Sequence, residues 1–91
     1  MKVSAHVYIS GRVQGVFFRS QTQRKAHEHN ITGWIKNLSD GRVEAVFEGE
    51  EKDVRILTDF CKLGPTGARV EKTEVILLKF TGEFDDFQII W

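Results

Sequence analysis

Two short segments carry residues that could handle an oxyanion. The first, GRVQGVFFR at residues 11–19, sets two glycines, two phenylalanines and two arginines within nine positions. Glycine lets a backbone turn until its N–H groups converge, and successive amides beside a helix N-terminus form a concave anion site held by peptide dipoles. If the amides from Gln14 through Gly15, Val16, Phe17 and Phe18 to Arg19 turn inward, they make such a cradle, with Gly11 and Gly15 bending the chain. From Arg19 a planar guanidinium can then grip two phosphoryl oxygens at once. The same composition also suits a plain glycine turn with a solvated arginine, and these residues alone do not separate the two. Phe17 and Phe18 likewise have two readings: both fill core, or one packs under a helix while the other lines the rim of a site. In the second segment, GWIKNLSDGRVE at 33–44, Asn37 precedes a turn. Its uncharged carboxamide offers a donor and an acceptor, for chemistry or for satisfying the turn's own backbone.

Other candidates point away from metal and thiol chemistry. His27 and His29 are two apart and do not share a helix face, and His6 is the only other histidine, so no metal site is expected. Cys61 is the sole cysteine, which excludes an internal disulfide; it falls on an apolar helical stripe and reads as core. An unstapled chain suits a reducing compartment, and the cytoplasm is the expected location. Thirteen basic residues balance thirteen acidic ones, so no global field gathers nucleic acid or an anionic membrane. The N-terminus alternates polar and apolar residues instead of forming an apolar leader, and nothing approaches the length of a membrane span. A basic surface and an aromatic motif on the third strand, which an RNA binder of this size would use, are both lacking.

The elements around the two segments follow from periodicity. Val3, Ala5, Val7 and Ile9 alternate with Ser4, His6, Tyr8 and Ser10 as a strand does. SQTQ at 20–23 has the form of a capping box, so a helix is expected from Ser20 to about His29, with a thin stripe of Phe18, Thr22 and Ala26 and a left-handed stop at Asn30. Residues 34–38 and 42–48 read as a hairpin turning at Asp40 and Gly41. Residues 50–63 return to helical spacing with Val54, Leu57, Phe60 and Cys61 on one side, and EGEEKD at 48–53 reads as its solvated start. Strands at 73–80 and 86–91 follow, the latter with Phe87, Ile89 and Trp91 on one face. Strand, helix, strand, strand, helix, strand is the order of a split βαβ, ferredoxin-like α+β fold: two helices on one face of an antiparallel sheet, in a single domain spanning 1–91.

Taken together, the two segments resemble the signatures of the acylphosphatase family, GRVQGVxFR and GWVxNxxDGxVE, with Ile35 a conservative departure, and the similarity extends to DFQI at 86–89. The resemblance implies a ferredoxin-like fold and metal-independent hydrolysis of the carboxyl–phosphate bond of a small acyl phosphate, giving a carboxylate and inorganic phosphate. It implies that Arg19 binds the phosphoryl group with the amides of Gln14 to Phe18, and that Asn37 positions the attacking water. No cofactor, metal, nucleic acid or membrane is implied; the protein is expected to be a monomer that inorganic phosphate inhibits competitively. Leu38 departs from members that carry a threonine there, so no hydroxyl contact is implied at that position. Acylphosphatase-like domains also occur inside larger maturation proteins, so the alternative the resemblance leaves is a non-catalytic module that handles phosphate or carbamoyl phosphate.

Overall fold

A computed structural model describes residues 1–90; Trp91, included in the expected last strand, lies outside the described residues. The chain runs β1 (Lys2–Arg12), α1 (Phe18–Glu28), β2 (Thr32–Asn37), β3 (Val43–Glu50), α2 (Glu51–Leu63), β4 (Arg69–Lys79) and β5 (Phe87–Ile90). The five strands form one sheet in the order β4-β1-β3-β2-β5. The first four pair antiparallel, as a split βαβ requires, while β5 joins the free edge of β2 in parallel, so the whole sheet is mixed. Both helices pack on one face, over a core that includes Ala5, Val7 and Ile9 of β1, Ile35 of β2 and Val43, Ala45 and Phe47 of β3.

The expected thin stripe of α1 is the one that is buried: Phe18, Thr22 and Ala26. The helix starts earlier than the capping box implies, because Phe18 must enter as its first residue for that stripe to align with the core. Phe17 is therefore the N-cap, and no side chain caps the helix. The Ser20 hydroxyl turns back to donate to the Phe17 carbonyl (3.1 Å), and the Gln23 amide donates to the Phe87 carbonyl (3.1 Å), tying α1 to β5. At the other end Asn30 adopts φ 55°, and Ile31 N–H reaches back to the Ala26 carbonyl (2.9 Å), a left-handed stop as expected.

Three other boundaries move. Gly11 does not open a loop; it sits inside β1 at a bulge opposite β4, where a Cβ would run into the carbonyl oxygen of Arg69. Strand β4 begins at Arg69, four residues earlier than its apolar run suggests, because the bulge lets β1 keep pairing with it. Glu48 belongs to β3 and is 1% exposed instead of solvated. Its carboxylate accepts from Thr81 N–H (3.2 Å), the Thr81 hydroxyl (2.9 Å) and Gly82 N–H (3.1 Å), so the segment leading from β4 to β5 latches onto it. Cys61 is buried, and burial pushes its thiol pKa up, which leaves it in the core without reactivity.

Strand β5 holds its place through Phe87, fully buried and stacked on Phe47 with centroids 5.5 Å apart. Truncation of such a ring leaves a cavity that neighbours fill poorly, so Phe87→Ala is expected to cost about 3–5 kcal/mol in urea unfolding.

Candidate active site

The segment between β1 and α1 passes over the sheet edge of the core. Val13 plugs inward, Gly15 takes φ 73° and Phe17 takes φ 60°, ψ 23°. The two adjacent phenylalanines divide their roles: Phe18 is 2% exposed and packs toward Phe60 (centroids 6.4 Å), whereas Phe17 is 79% exposed. Two left-handed residues so close together curl the chain. Among the described residues, no backbone carbonyl accepts from the N–H groups of Gly15, Val16, Phe17 or Phe18. These donors stand at the positive end of α1, whose first turn contains no acidic residue and whose second residue is Arg19.

Asn37 arrives from the other side. It ends β2 on the helix-facing side, two residues after buried Ile35, and pairs with Val43. Beyond it the hairpin closes through Leu38 N–H to the Arg42 carbonyl (2.8 Å) and Gly41 N–H to the Leu38 carbonyl (3.2 Å). Asp40 accepts from the Arg42 N–H (3.1 Å) and its guanidinium (2.9 Å), and these two contacts hold its carboxyl below the usual carboxylate range. Among the described residues, no group hydrogen-bonds the buried Asn37 Oδ1.

A cleft of about 310 Å³ joins these parts. Gly15, Arg19, Ser20 and Asn37 make its polar side; Val13, Phe17, Phe18 and Ile89 make its apolar side. Among the described residues, no carboxylate, histidine, lysine or cysteine side chain lines it. Such a cleft can hold a tetrahedral anion on amides and a guanidinium and set a water beside it on a neutral amide.

Of the residues expected at the site, Gly15, Phe17, Phe18, Arg19 and Asn37 come together here. Val16 instead faces a neighbouring groove with Phe60 and Pro65. Gln14 does not line the cleft with its side chain; its Nε2 donates to both the Leu38 carbonyl (2.8 Å) and the Arg42 carbonyl (2.9 Å), bracketing the loop to the hairpin that carries Asn37. Sequence reasoning missed that bracket, since its acceptors lie 24 and 28 residues away. It also missed Val13 and Ile89 as cleft walls, although the alternation of Phe87 with Ile89 carried the signal for the second. His27 and His29 pair singly, with Asp86 (3.1 Å) and Asp53 (3.5 Å). Nothing in the structure explains Arg12.

The family model for acylphosphatase matches residues 5–89. The chain belongs to the acylphosphatase family. It is 53% identical over 91 residues to an acylphosphatase of Geotalea uraniireducens, covering all of both chains. An acylphosphatase of Syntrophus aciditrophicus is 50% identical over 91 residues, which span all of this chain and 95% of that one. The solved structure of an acylphosphatase from Coxiella burnetii superposes with a TM-score of 0.92 at 40% identity, over 98% of this chain and 93% of the other. The acylphosphatase fold is thus shared along essentially the full length of the chain, and the mixed five-strand sheet with two helices on one face is the ferredoxin-like α+β architecture.

Gln14→Met keeps the length of the side chain and removes both donors. At 0.5–1.5 kcal/mol per net hydrogen bond, a loss of about 1–3 kcal/mol is expected in urea unfolding with an unchanged m-value.

Proposed function

We propose that the protein hydrolyses the carboxyl–phosphate bond of small acyl phosphates without a metal ion, with Arg19 and Asn37 as its catalytic residues. The observation that carries this reading is the convergence of the buried Asn37 Oδ1, Arg19 and the 14–18 loop on one cleft. The phosphoryl group sits on the amides from Gln14 to Phe18, the backbone of Gln14 and Val16 serving although their side chains point elsewhere. Arg19 grips two of its oxygens.

Phosphoryl transfer passes through a loose transition state, so positioning and charge stabilisation carry most of the acceleration. A water whose O–H donates to Asn37 Oδ1 attacks phosphorus in line with the leaving carboxylate. The P–O bond to the acyl group breaks, and its electron pair leaves on the carboxylate. The water proton passes to a phosphoryl oxygen, giving dihydrogen phosphate and the carboxylate, and all atoms and charges are conserved. A carboxylate leaves readily, so no general acid is needed. Among the described residues the cleft has no titratable base side chain, which is consistent with the substrate supplying the proton acceptor.

The product is the phosphoryl half of the substrate, so inorganic phosphate competes for the same cradle. A single buried thiol suits the cytoplasm, and the protein works as a monomer on this reading.

The test is hydrolysis of benzoyl phosphate with excess chelator present. The wild type is expected to turn over at an unchanged rate, and loss of activity to the chelator would falsify the metal-free route. Asn37→Ala is expected to lower kcat by roughly 10²–10³, the scale for removing one preorganised polar group, while phosphate binding persists. Arg19→Ala loses phosphate affinity together with turnover; Arg19→Lys restores little, because the planar fork is gone. Between about pH 5 and 8, where a histidine base would titrate, kcat is expected to show no ionisation beyond the substrate's own.

A further inference from the structure

We infer that Phe17 is the residue that selects the acyl group, and that the group it favours is bulky and apolar, aromatic above all; this rests on the hydrolase reading above. Phe17 is expensive to the fold in two ways. It holds φ 60°, ψ 23°, a conformation that residues with a Cβ adopt at a cost and that Gly15 adopts freely two positions earlier. It also leaves a large aromatic ring 79% exposed, while its neighbour Phe18 at 2% supplies the loop's anchor to the core. Neither feature stabilises the folded chain, and paired costs of this kind collect where a ligand recovers them.

The place of Phe17 says which ligand. It borders both the cleft, with Ile89 and Val13, and the neighbouring groove of Val16 and Phe60, while Gly15, Arg19 and Asn37 provide the polar groups of the cleft. A substrate whose phosphoryl group lies on the polar residues has its acyl group directed to the apolar ones. Among the described residues lining the cleft, Arg19 is the one charged side chain, and it is committed to the phosphoryl group on this reading. The ring is also launched from a fixed base, since the Phe17 carbonyl accepts from Gln21 N–H (3.0 Å) and from the Ser20 hydroxyl (3.1 Å). A preset aromatic wall binds a second ring without first paying to order itself.

The experiment compares kcat/KM for benzoyl phosphate with kcat/KM for acetyl phosphate and reads their ratio. Any disturbance of the phosphate cradle lowers both substrates together and cancels. In Phe17→Ala the ratio is expected to fall about two- to tenfold, the span of an aromatic pair contact, with the loss in KM for benzoyl phosphate. Phe17→Trp is expected to restore it. A ratio unchanged in Phe17→Ala, with both substrates still hydrolysed, overturns the role of Phe17 and leaves the hydrolase reading standing. A wild type that hydrolyses neither substrate overturns both. A drop in Tm for Phe17→Ala as large as that of a core truncation makes the residue structural and also overturns the inference.

Discussion

The register between β1, β3 and β2 is the constraint on which the site depends. Ile9 of β1 lies opposite Val43 of β3, and Val43 lies opposite Asn37 of β2, so one row across the sheet joins the C-terminal part of β1 to the end of β2. With neighbouring strands about 4.8 Å apart, Ile9 lies roughly 10 Å from Asn37, and the chain that continues through Arg12 into the loop curls back toward it. A slip of one residue in β2 would turn Asn37 to the helix-free face and Lys36 into the core. Buried Ile35 and Val43 on the same face make that slip prohibitive, and apolar packing thereby sets the aim of a polar side chain. Gln14 then fixes what register alone leaves loose, because its two hydrogen bonds hold the moving part, the loop, to the hairpin.

Much of this was legible before any coordinates, wherever the information was local. The alternation of β1, the Phe18, Thr22 and Ala26 stripe and the left-handed stop at Asn30 each depend on neighbours within a few residues, and each is in place. The two segments that carry Arg19 and Asn37 were legible as motifs, and their meeting in one cleft is what the fold adds. What was not legible depends on distant partners. Glu48 looks like part of a solvated charge run until Thr81 and Gly82, 33 and 34 residues on, supply its donors. The capping box at Ser20 failed for a related reason: local capping chemistry favoured one start, while burial of Phe18 favoured an earlier one, and burial of a ring outweighs a cap worth about 1 kcal/mol.

Helix α1 shows how stability and site are separated in this fold. Its buried stripe is narrow and its first turn has no side-chain cap, so its start is weak by the usual measures. The compensation comes from elsewhere: Phe18 in the core beneath the loop, Gln23 on the Phe87 carbonyl and the stack of Phe87 on Phe47. Uncapped amides are the feature an anion site requires, because a serine or aspartate cap would occupy the same donors. The N-terminus of α1 is left open, and β5 beside it carries the load.

On the proposed mechanism, the choice of an amide at position 37 follows from the same electrostatics. A carboxylate there would be a better base, but it would face a phosphoryl dianion across a few ångströms of partly desolvated cleft, and two like charges at such a distance repel strongly. It would also take up Arg19, the one cationic side chain that lines the cleft. A carboxamide accepts a hydrogen bond from water without adding charge, so Arg19 and the loop amides stay committed to the anion. The reaction does not need the stronger base, since the leaving carboxylate is already stable and the phosphoryl oxygens can take the proton. On the proposed mechanism, the buried Asn37 Oδ1 is a water acceptor that is polar, fixed and neutral.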